Sequence, residues 1–286
     1  MTHFNKVTII GVGLIGGSLA RVLKDKGLAG EITGTGRSRE TLELALRLGV
    51  IDRLGQGFAR SVENAELVVL ASPVGSFETV VREIASHLKK GAVLTDVGSV
   101  KGELVQKIEA LLPDGVHYVP GHPIAGKEKF GVVEATASLF SGAKCILTPT
   151  KKTDPQALAA VRAVWEAAGA KVLVMDPDLH DKIFSAVSHM PHVAAFAMVS
   201  AVAELNTGTE DYINFSGAGF KDFTRIAGSS PEIWRDICLM NRDNIVEMLD
   251  RYLFSLSRFK RELLAGDGKK LEKHLKLASD VRRGLG

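Results

Sequence analysis

A histidine set between a glycine and a proline is the residue of this sequence best suited to proton transfer. His122 lies in the segment Gly-His-Pro-Ile-Ala-Gly, residues 121–126, directly after a predicted strand at His117–Val119. Imidazole titrates near neutral pH and serves as an acid or a base in many active sites. The end of a strand, between glycine and proline, is a poor place for a core residue. A packed histidine without a chemical role is the alternative, and we take His122 as the first active-site candidate.

Two segments further along the chain supply more candidates. Ser188–His192 holds two histidines three residues apart, His189 and His192, and the glycine-containing segment 217–227 holds Arg225. Histidines at that spacing share a helix face, but no carboxylate or cysteine lies close in sequence, so we predict no metal site. The planar guanidinium of Arg225 suits a carboxylate ligand. Its alternative is an ion pair with Asp222, three residues earlier.

A glycine pattern near the start of the chain predicts a dinucleotide site. Gly11, Gly13 and Gly16 form a Gly-x-Gly-x-x-Gly motif, with Leu14 and Ile15 inside it, between an apolar strand and a helix. The first glycine permits a tight turn, the second lets a pyrophosphate approach the backbone, and the third lets helix and strand pack closely. The free N–H groups at the helix start then face the anion. A glycine-rich turn without a ligand is the alternative.

The segment after the second predicted strand bears on which dinucleotide binds. NAD-binding folds usually carry an acid about 20 residues beyond the glycines, for the ribose 2′-hydroxyl. That position falls in Gly36-Arg37-Ser38-Arg39, which contains no acid. Arginines beside a serine suit a 2′-phosphate, which favours NADP slightly over NAD. In the alternative, Arg37 stacks on the adenine and NAD is used.

The ends of two further predicted strands are expected at the same edge of the sheet. Ser72 and Pro73 follow the strand Leu67–Ala71, and Asp96 and Ser99 follow Ala92–Thr95. Ligands of such folds bind at the carboxyl ends of the strands, so we assign Ser72, Pro73 and Asp96 to the cofactor site. Ser99 is expected either to cap the next helix or to face the pocket, and the two roles are compatible.

The elements that must position these residues divide the chain in two. Up to about Met175 short β-rich runs alternate with helical stretches, which predicts a doubly wound parallel sheet of Rossmann type. From Pro177 onward the strand signals stop, and the pattern predicts helices at about 178–205, 231–264 and 269–283. We therefore predict a dinucleotide-binding domain at 1–176 and an all-helical domain at 177–286. The strands are expected at Val7–Ile10, Glu31–Thr35, Leu67–Ala71, Ala92–Thr95, His117–Val119, Cys145–Thr148 and Lys171–Val174.

The composition limits the remaining possibilities. The 286 residues carry 36 basic and 33 acidic side chains, a net charge of +3 that is too small to indicate nucleic acid but suits small anions. Two cysteines without a Cys-x-x-Cys pair fit a reducing cytosol. The N-terminus lacks the pattern of a signal peptide, and no uninterrupted apolar run is long enough to predict a membrane span. We expect a cytoplasmic protein.

Taken in order along nearly the whole chain, these motifs resemble the prephenate dehydrogenase family, which includes arogenate and cyclohexadienyl dehydrogenases. The matching segments are 11–16, 96–101, 121–131, 188–192, and 219–227 followed by Trp234-Arg235-Asp236. The resemblance implies a Rossmann domain with a helical dimerisation domain, and oxidative decarboxylation of prephenate to 4-hydroxyphenylpyruvate in tyrosine biosynthesis.

The same resemblance implies roles for six residues. His122 would accept the proton of the substrate's ring hydroxyl, and Ser99 would orient both groups. Arg225 would bind a substrate carboxylate. His192, chosen over His189, Glu128 at the pocket entrance and Trp234 would complete the substrate site.

The chemistry asks for these residue types. Prephenate is a dianion whose ring hydroxyl sits on the carbon that loses hydride, so a base that removes the hydroxyl proton eases the transfer. Loss of the ring carboxylate then makes the ring aromatic. The protein must orient two reactants and neutralise carboxylates, while the dinucleotide performs the redox chemistry.

Three alternatives stay open. An arogenate dehydrogenase would use the same fold and chemistry. A β-hydroxyacid dehydrogenase would rely on a lysine in the first long helix of the second domain, where Lys182 is available, but it leaves residues 121–126 unexplained. A dinucleotide sensor without activity would tolerate loss of His122. The apolar stretch Val193–Val202 also indicates a homodimer, against a monomer whose helical domain caps the cleft.

Overall fold

A six-stranded parallel sheet forms the centre of the first half of the protein. The computed structural model describes residues 2–126, 130–206 and 211–285, and the strand order in this sheet is β3-β2-β1-β4-β5-β6. This order reverses between β1 and β4, which places a crevice at their carboxyl ends, the usual ligand position in such sheets. The strands are β1 (Phe4–Ile10), β2 (Ala29–Thr35), β3 (Arg53–Leu54), β4 (Leu67–Leu70), β5 (Val93–Asp96) and β6 (His117–Val119).

Helices cover both faces of this sheet and create two separate hydrophobic cores. One core lies around the first helix and β2, and the other lies between β4, β5 and the next helices along the chain. Strands that are buried on both faces read as continuous apolar runs, and Leu67–Leu70 is buried at every position. The helices are α1 (Leu14–Asp25), α2 (Arg39–Arg47), α3 (Phe58–Val62), α4 (Phe77–Ile84) and α5 (Gly102–Leu111).

A second, three-stranded sheet departs from the sequence prediction. Strand β7 (Gly121–Ile124) pairs antiparallel with β8 (Lys144–Leu147), which pairs parallel with β9 (Lys171–Val174), and α6 (Pro155–Ala167) connects β8 to β9. The sequence placed the last two strands in one parallel sheet and missed β7. Glycine and proline are rare inside strands, so 121–124 does not look like one. As an edge strand β7 tolerates Pro123, and it holds His122 opposite Ile146.

After β9 the described residues form helices and their connections, as predicted, with two differences. The expected helix over 178–205 is present as α7 (Pro177–Phe184) and α8 (Met190–Ala203), joined by a π-helical turn at Ser185–His189. Pro191 has no N–H to continue the α-helical ladder, and the wider turn precedes it. The expected helix over 231–264 is broken at Asn241 into two. The remaining helices are α9 (Ala218–Thr224), α10 (Pro231–Met240), α11 (Arg242–Leu264) and α12 (Gly268–Arg283).

The continuous helical stretch Pro177–Ala203 is unusually apolar and exposed. Its mean hydropathy reaches 1.4 over an 18-residue window, of which 17% is buried, so it meets the length and composition of a membrane span. Length and composition are weak evidence for a span, because a soluble helix that packs on a partner has the same character. Three of its buried polar residues, His180, Asp181 and His189, belong to the site described next.

Candidate active site

The glycine motif borders a cleft that suits a dinucleotide. A cavity of about 480 Å³ opens at the carboxyl ends of β1, β2 and β4. Its walls include six of the ten residues assigned to the cofactor from the sequence: Gly11, Gly13, Arg37, Ser38, Ser72 and Pro73. The other three residues of the motif are in the first turns of α1 and do not line the cavity: Leu14 and Ile15 are half-buried and Gly16 is buried.

The three glycines are required for different reasons. Gly11 has φ of +99°, and a Cβ atom there would lie 2.5 Å from the Ala71 carbonyl carbon. A Cβ atom on Gly16 would collide with the Gly11 carbonyl oxygen. A Cβ atom on Gly13 would meet nothing within 4 Å, so it would project into the space that an approaching pyrophosphate needs. The residues present therefore fit a dinucleotide.

Arg37 reaches across to the helical half of the protein. Its Nη1 atom lies 3.3 Å from Oε1 of Glu232 on α10, and both side chains are exposed. Ser72, on the other side of the cleft, shares a hydrogen bond with Ser76 at 2.8 Å. The loop before α4 and helix α10 are in close contact, since a Cβ atom on Gly75 would collide with Asp236. The cofactor cleft is thus bordered by both halves of the chain.

His122 is buried at the junction of the two halves. Its Nδ1 atom lies 2.8 Å from Nε2 of His180 on α7, and its ring packs on Phe184 with centroids 4.9 Å apart. Burial, above all, lowers the pKa of His122 well below its ordinary value, and the neighbouring His180 and Lys101 lower it further. The imidazole is therefore neutral at physiological pH, which is the state that a proton acceptor needs.

A carboxylate continues the chain of hydrogen bonds behind His122. Nδ1 of His180 lies 2.8 Å from Oδ1 of Asp181, and the same oxygen accepts the backbone N–H of Lys101 at 2.8 Å. Asn241 donates to the backbone carbonyl of Asp181 at 2.9 Å, and so ties α7 to the break between α10 and α11. His180 and Asp181 are not among the predicted site residues, because they lie 58 and 59 residues from His122 and resemble an ordinary first helical turn.

Asp96 lies at the end of β5, as predicted, but its side chain faces the interior. Asp96 is fully buried, and its Oδ1 accepts from Lys101 Nζ at 2.5 Å while its Oδ2 accepts from the Tyr118 hydroxyl at 2.7 Å. Burial and this carboxylate hold the pKa of Tyr118 well above its usual value. The buried charge of Asp96 is thus matched by Lys101, and the carboxylate supports the loop that ends at Ser99.

Ser99 is half-buried in the loop between β5 and α5. The expectation that it caps α5 is wrong, because α5 begins at Gly102 and its cap residue is Lys101, without a side-chain capping bond. Asp181, from the helical half, accepts the backbone N–H of this cap residue. Glu128, assigned to the pocket entrance, lies outside the described residues.

A second cavity adjoins His192 and Arg225. It measures about 650 Å³ and is lined by Gly126, Phe130, His192, Arg225, Ile226, Gly228 and Ser229. His192 stacks on Trp234, and burial followed by the charge of Arg225 lowers its pKa. His189 is instead fully buried, bonded to Asn241, and burial lowers its pKa to about 4. The structure thus brings together His192, Arg225 and Trp234. Lys182 is exposed on α7.

Comparison with known proteins assigns both halves of the chain. The family model described as prephenate dehydrogenase, nucleotide-binding domain, matches residues 19–174, and the one described as prephenate dehydrogenase, dimerization domain, matches residues 176–277. The prephenate dehydrogenase of Bacillus subtilis is 36% identical over 98% of this chain and 76% of its own length. The cyclohexadienyl dehydrogenase of Zymomonas mobilis is 32% identical over 100% of this chain and 97% of its own.

A solved structure agrees with these matches. The prephenate dehydrogenase of A. aeolicus, in complex with hydroxyphenyl propionate and NAD+, superposes with a TM-score of 0.93 at 40% identity, over 99% of this chain and 98% of that one. The fold class, the family and the dehydrogenase class predicted from the sequence are confirmed.

Proposed function

The chain belongs to the prephenate dehydrogenase family, and on that premise we propose that it converts prephenate to 4-hydroxyphenylpyruvate and carbon dioxide. A nicotinamide dinucleotide supplies the hydride acceptor when bound in the cleft of the first half. The observation that supports this activity best is the neutral, buried imidazole of His122, anchored through Nδ1 to His180 of the helical half.

The residues of the chain divide the chemistry among them. His122 accepts the proton of the ring hydroxyl as the C–H bond of the same carbon gives up its hydride. The carbon–carboxylate bond then breaks, carbon dioxide leaves, and the ring becomes aromatic. The phenolate oxygen takes back a proton from His122, so the reaction releases no net proton. Ser99 orients the hydroxyl group in this proposal.

The second cavity holds the anionic parts of the substrate. Arg225 pairs with one carboxylate, in the two-bond geometry that a guanidinium favours, and His192 backed by Trp234 borders the other. Glu128 is assigned to the entrance of this cavity. A dianion is bound here because a positive side chain and a titratable imidazole line one wall.

The choice of dinucleotide remains a separate part of the proposal. The loop 36–39 carries no acid for a ribose 2′-hydroxyl, and Arg37 lines the cleft, which favours NADP. Glu232 holds the Arg37 guanidinium, which favours NAD, because an engaged arginine is less available to a 2′-phosphate. We propose that the enzyme accepts both, with NAD or NADP preferred according to the strength of this ion pair.

A spectrophotometric assay tests the proposal. Prephenate and arogenate are each supplied with NAD and with NADP, and the absorbance of the reduced cofactor is followed. Prephenate turnover is expected, and it should fall by about 100-fold or more in His122→Asn, in keeping with the loss of a general base. His87→Gln, which alters an exposed histidine paired with Glu63, serves as the matched control. Turnover of arogenate alone would instead assign the amino substrate, and unchanged turnover in His122→Asn would remove His122 from the mechanism.

We further propose a cytoplasmic homodimer that forms through the helical half, with the domain boundary at 176/177. Large apolar side chains of α11 and α12 are exposed in the single chain, together with the apolar face of α8. A second copy would cover this surface, as the dimerization-domain match suggests. Light scattering is expected to give twice the chain mass of 30.7 kDa, and a monomer at that mass would contradict the dimer.

A further inference from the structure

Three polar side chains from different parts of the chain form one line that ends at His122. His122 comes from β7, whereas His180 and Asp181 come from the first turns of α7 in the helical half. The two hydrogen bonds in the line are each 2.8 Å long, and all three residues are buried, His180 completely. We propose that His180 and Asp181 are positioning residues for the base, a role that rests on the proposed function of His122.

The directions of the hydrogen bonds follow from the carboxylate. An ionised carboxylate has no proton to donate, so Oδ1 of Asp181 accepts both from the Lys101 backbone N–H and from His180. Nδ1 of His180 therefore carries the proton, and Nε2 of a neutral His180 has only a lone pair to offer. Nδ1 of His122 must then be the donor in the bond between the histidines. This leaves the lone pair of His122 on Nε2, which is the nitrogen free to take the substrate's proton.

The same line stabilises the charged form of His122 during the reaction. When Nε2 takes up a proton, the imidazolium donates more strongly to His180, whose other nitrogen is bonded to the Asp181 carboxylate. Burial lowers the pKa of His180, while Asp181 acts in the opposite direction through its hydrogen bond and its charge. Without the line to this carboxylate, an imidazolium at His122 would be left with His180, Lys101 and His189, each of which lowers the pKa of His122.

The position of Asp181 is fixed from three directions. The backbone N–H of Lys101 donates to Oδ1, and the side chain of Asn241 donates to the backbone carbonyl of Asp181. Gly102 leaves room for Oδ2, because a Cβ atom at residue 102 would lie only 2.7 Å from this oxygen. Other titratable groups near the line do not replace Asp181, because Lys101 is a cation, ion-paired with Asp96, and burial raises the pKa of the Cys145 thiol. The charged and titratable groups that act on His122 are His180 of α7, Lys101 before α5 and His189 of the π-helical turn, and Cys145 of β8 contacts its backbone. Asp181, Asp96 and Lys101 act on His180.

Substitutions of His180 and Asp181 separate the effect of the hydrogen-bond acceptor for His122 from the effect of the negative charge behind it. His180→Phe removes the acceptor for His122 and is expected to lower kcat by about 100-fold, the size of a misoriented general base. His180→Gln offers an amide oxygen in place of Nε2 and is expected to recover part of the loss. Asp181→Asn keeps an oxygen for Lys101 and His180 but removes the charge. It should lower kcat less, and shift the acid limb of kcat/KM to lower pH, because His122 becomes a weaker base. His87→Phe is the matched control.

A readout that does not depend on turnover completes the test. In nitrogen-15 spectra of histidine-labelled enzyme, His122 is expected to carry its proton on Nδ1, and His180→Phe should abolish this single tautomer while thermal unfolding stays cooperative. A wild-type His122 protonated on Nε2 would overturn the proposal, as would unchanged kcat in folded His180→Phe. If His180→Phe does not fold, His180→Leu, which is smaller and also lacks an acceptor, decides by the same two measurements. If wild-type enzyme uses neither prephenate nor arogenate, the proposed function fails, and the spectra still decide the orientation of His122.

Discussion

The imidazole of His192 lies flat against the indole of Trp234, with ring centroids 3.7 Å apart and ring planes inclined by 21°. The contact joins α8 to α10, and Nδ1 of His192 lies 2.9 Å from the carbonyl oxygen of Ser188, to which it donates. In the neutral ring this leaves Nε2 without a proton. His192 is thus held in one orientation from two sides, and its free nitrogen can donate to a carboxylate only after protonation.

This arrangement predicts that substrate binding takes up a proton. Burial, and then Arg225, lowers the pKa of His192 in the free enzyme, so the ring is mostly neutral at pH 7. A bound carboxylate stabilises the protonated ring and raises that pKa, so binding is tighter where protons are available. We expect KM for prephenate to rise with pH through the range between the two pKa values, and His192→Gln to flatten this dependence. Equal pH profiles of KM in the two enzymes would contradict the prediction.

Substituting two glycines of the nucleotide motif should have different effects, one on dinucleotide binding alone and one on stability as well. Gly13→Ala places a methyl group where no protein atom lies within 4 Å, so folding should be unaffected while dinucleotide affinity falls. Gly16→Ala drives the methyl group into the Gly11 carbonyl oxygen, so stability should fall as well, by about 1 to 3 kcal/mol as for an overpacked core. Calorimetric titration with dinucleotide and chemical unfolding separate the two. Wild-type enzyme is the reference for both variants. A glycine outside the cleft such as Gly27 is not a suitable control, because alanine at its φ of +61° would itself add strain.

The sequence predicted what short segments determine by themselves. The motif at 11–16 and the polar residues after β4 lie where a strand–turn–helix pattern puts them. The bonds from Asp181 to Lys101 and from His180 to His122 join residues 80 and 58 positions apart, and no periodicity reveals such pairs. For this reason His180 and Asp181 were missed, and the cap of α5 was expected from a residue close in sequence, Ser99.

The buried ion pair between Asp96 and Lys101 was also not predicted from the sequence, and its effect on stability can be measured. Both Asp96 and Lys101 are inaccessible to solvent, so Lys101→Met leaves a buried carboxylate without its cation and should lower the free energy of unfolding by about 3 to 5 kcal/mol. Combining it with Asp96→Asn should restore part of the loss. Urea unfolding measures both. Equal stability of the single and double variants would show that the ion pair is not what stabilises this loop.

Lys101→Met also predicts a change in catalysis with a defined sign. The charge of Lys101 contributes, after burial and His180, to the low pKa of His122. Its removal should raise that pKa, so the acid limb of kcat/KM should move to higher pH. The shift is opposite in direction to the one expected for Asp181→Asn, and a pH–rate profile of folded enzyme distinguishes the two.

The ion pair between Arg37 and Glu232 predicts how cofactor preference can be altered. Both side chains are exposed, so their attraction adds little to stability, and Glu232→Gln should leave unfolding unchanged. It should, however, release the guanidinium for a 2′-phosphate and raise kcat/KM for NADP relative to NAD. Arg37→Ala should lower kcat/KM for NADP and leave that for NAD nearly as it was. Glu78→Gln, which breaks an exposed pair with Arg82, is the matched control. If Arg37→Ala weakens both cofactors equally, Arg37 acts on a part that they share, as stacking on the adenine would require.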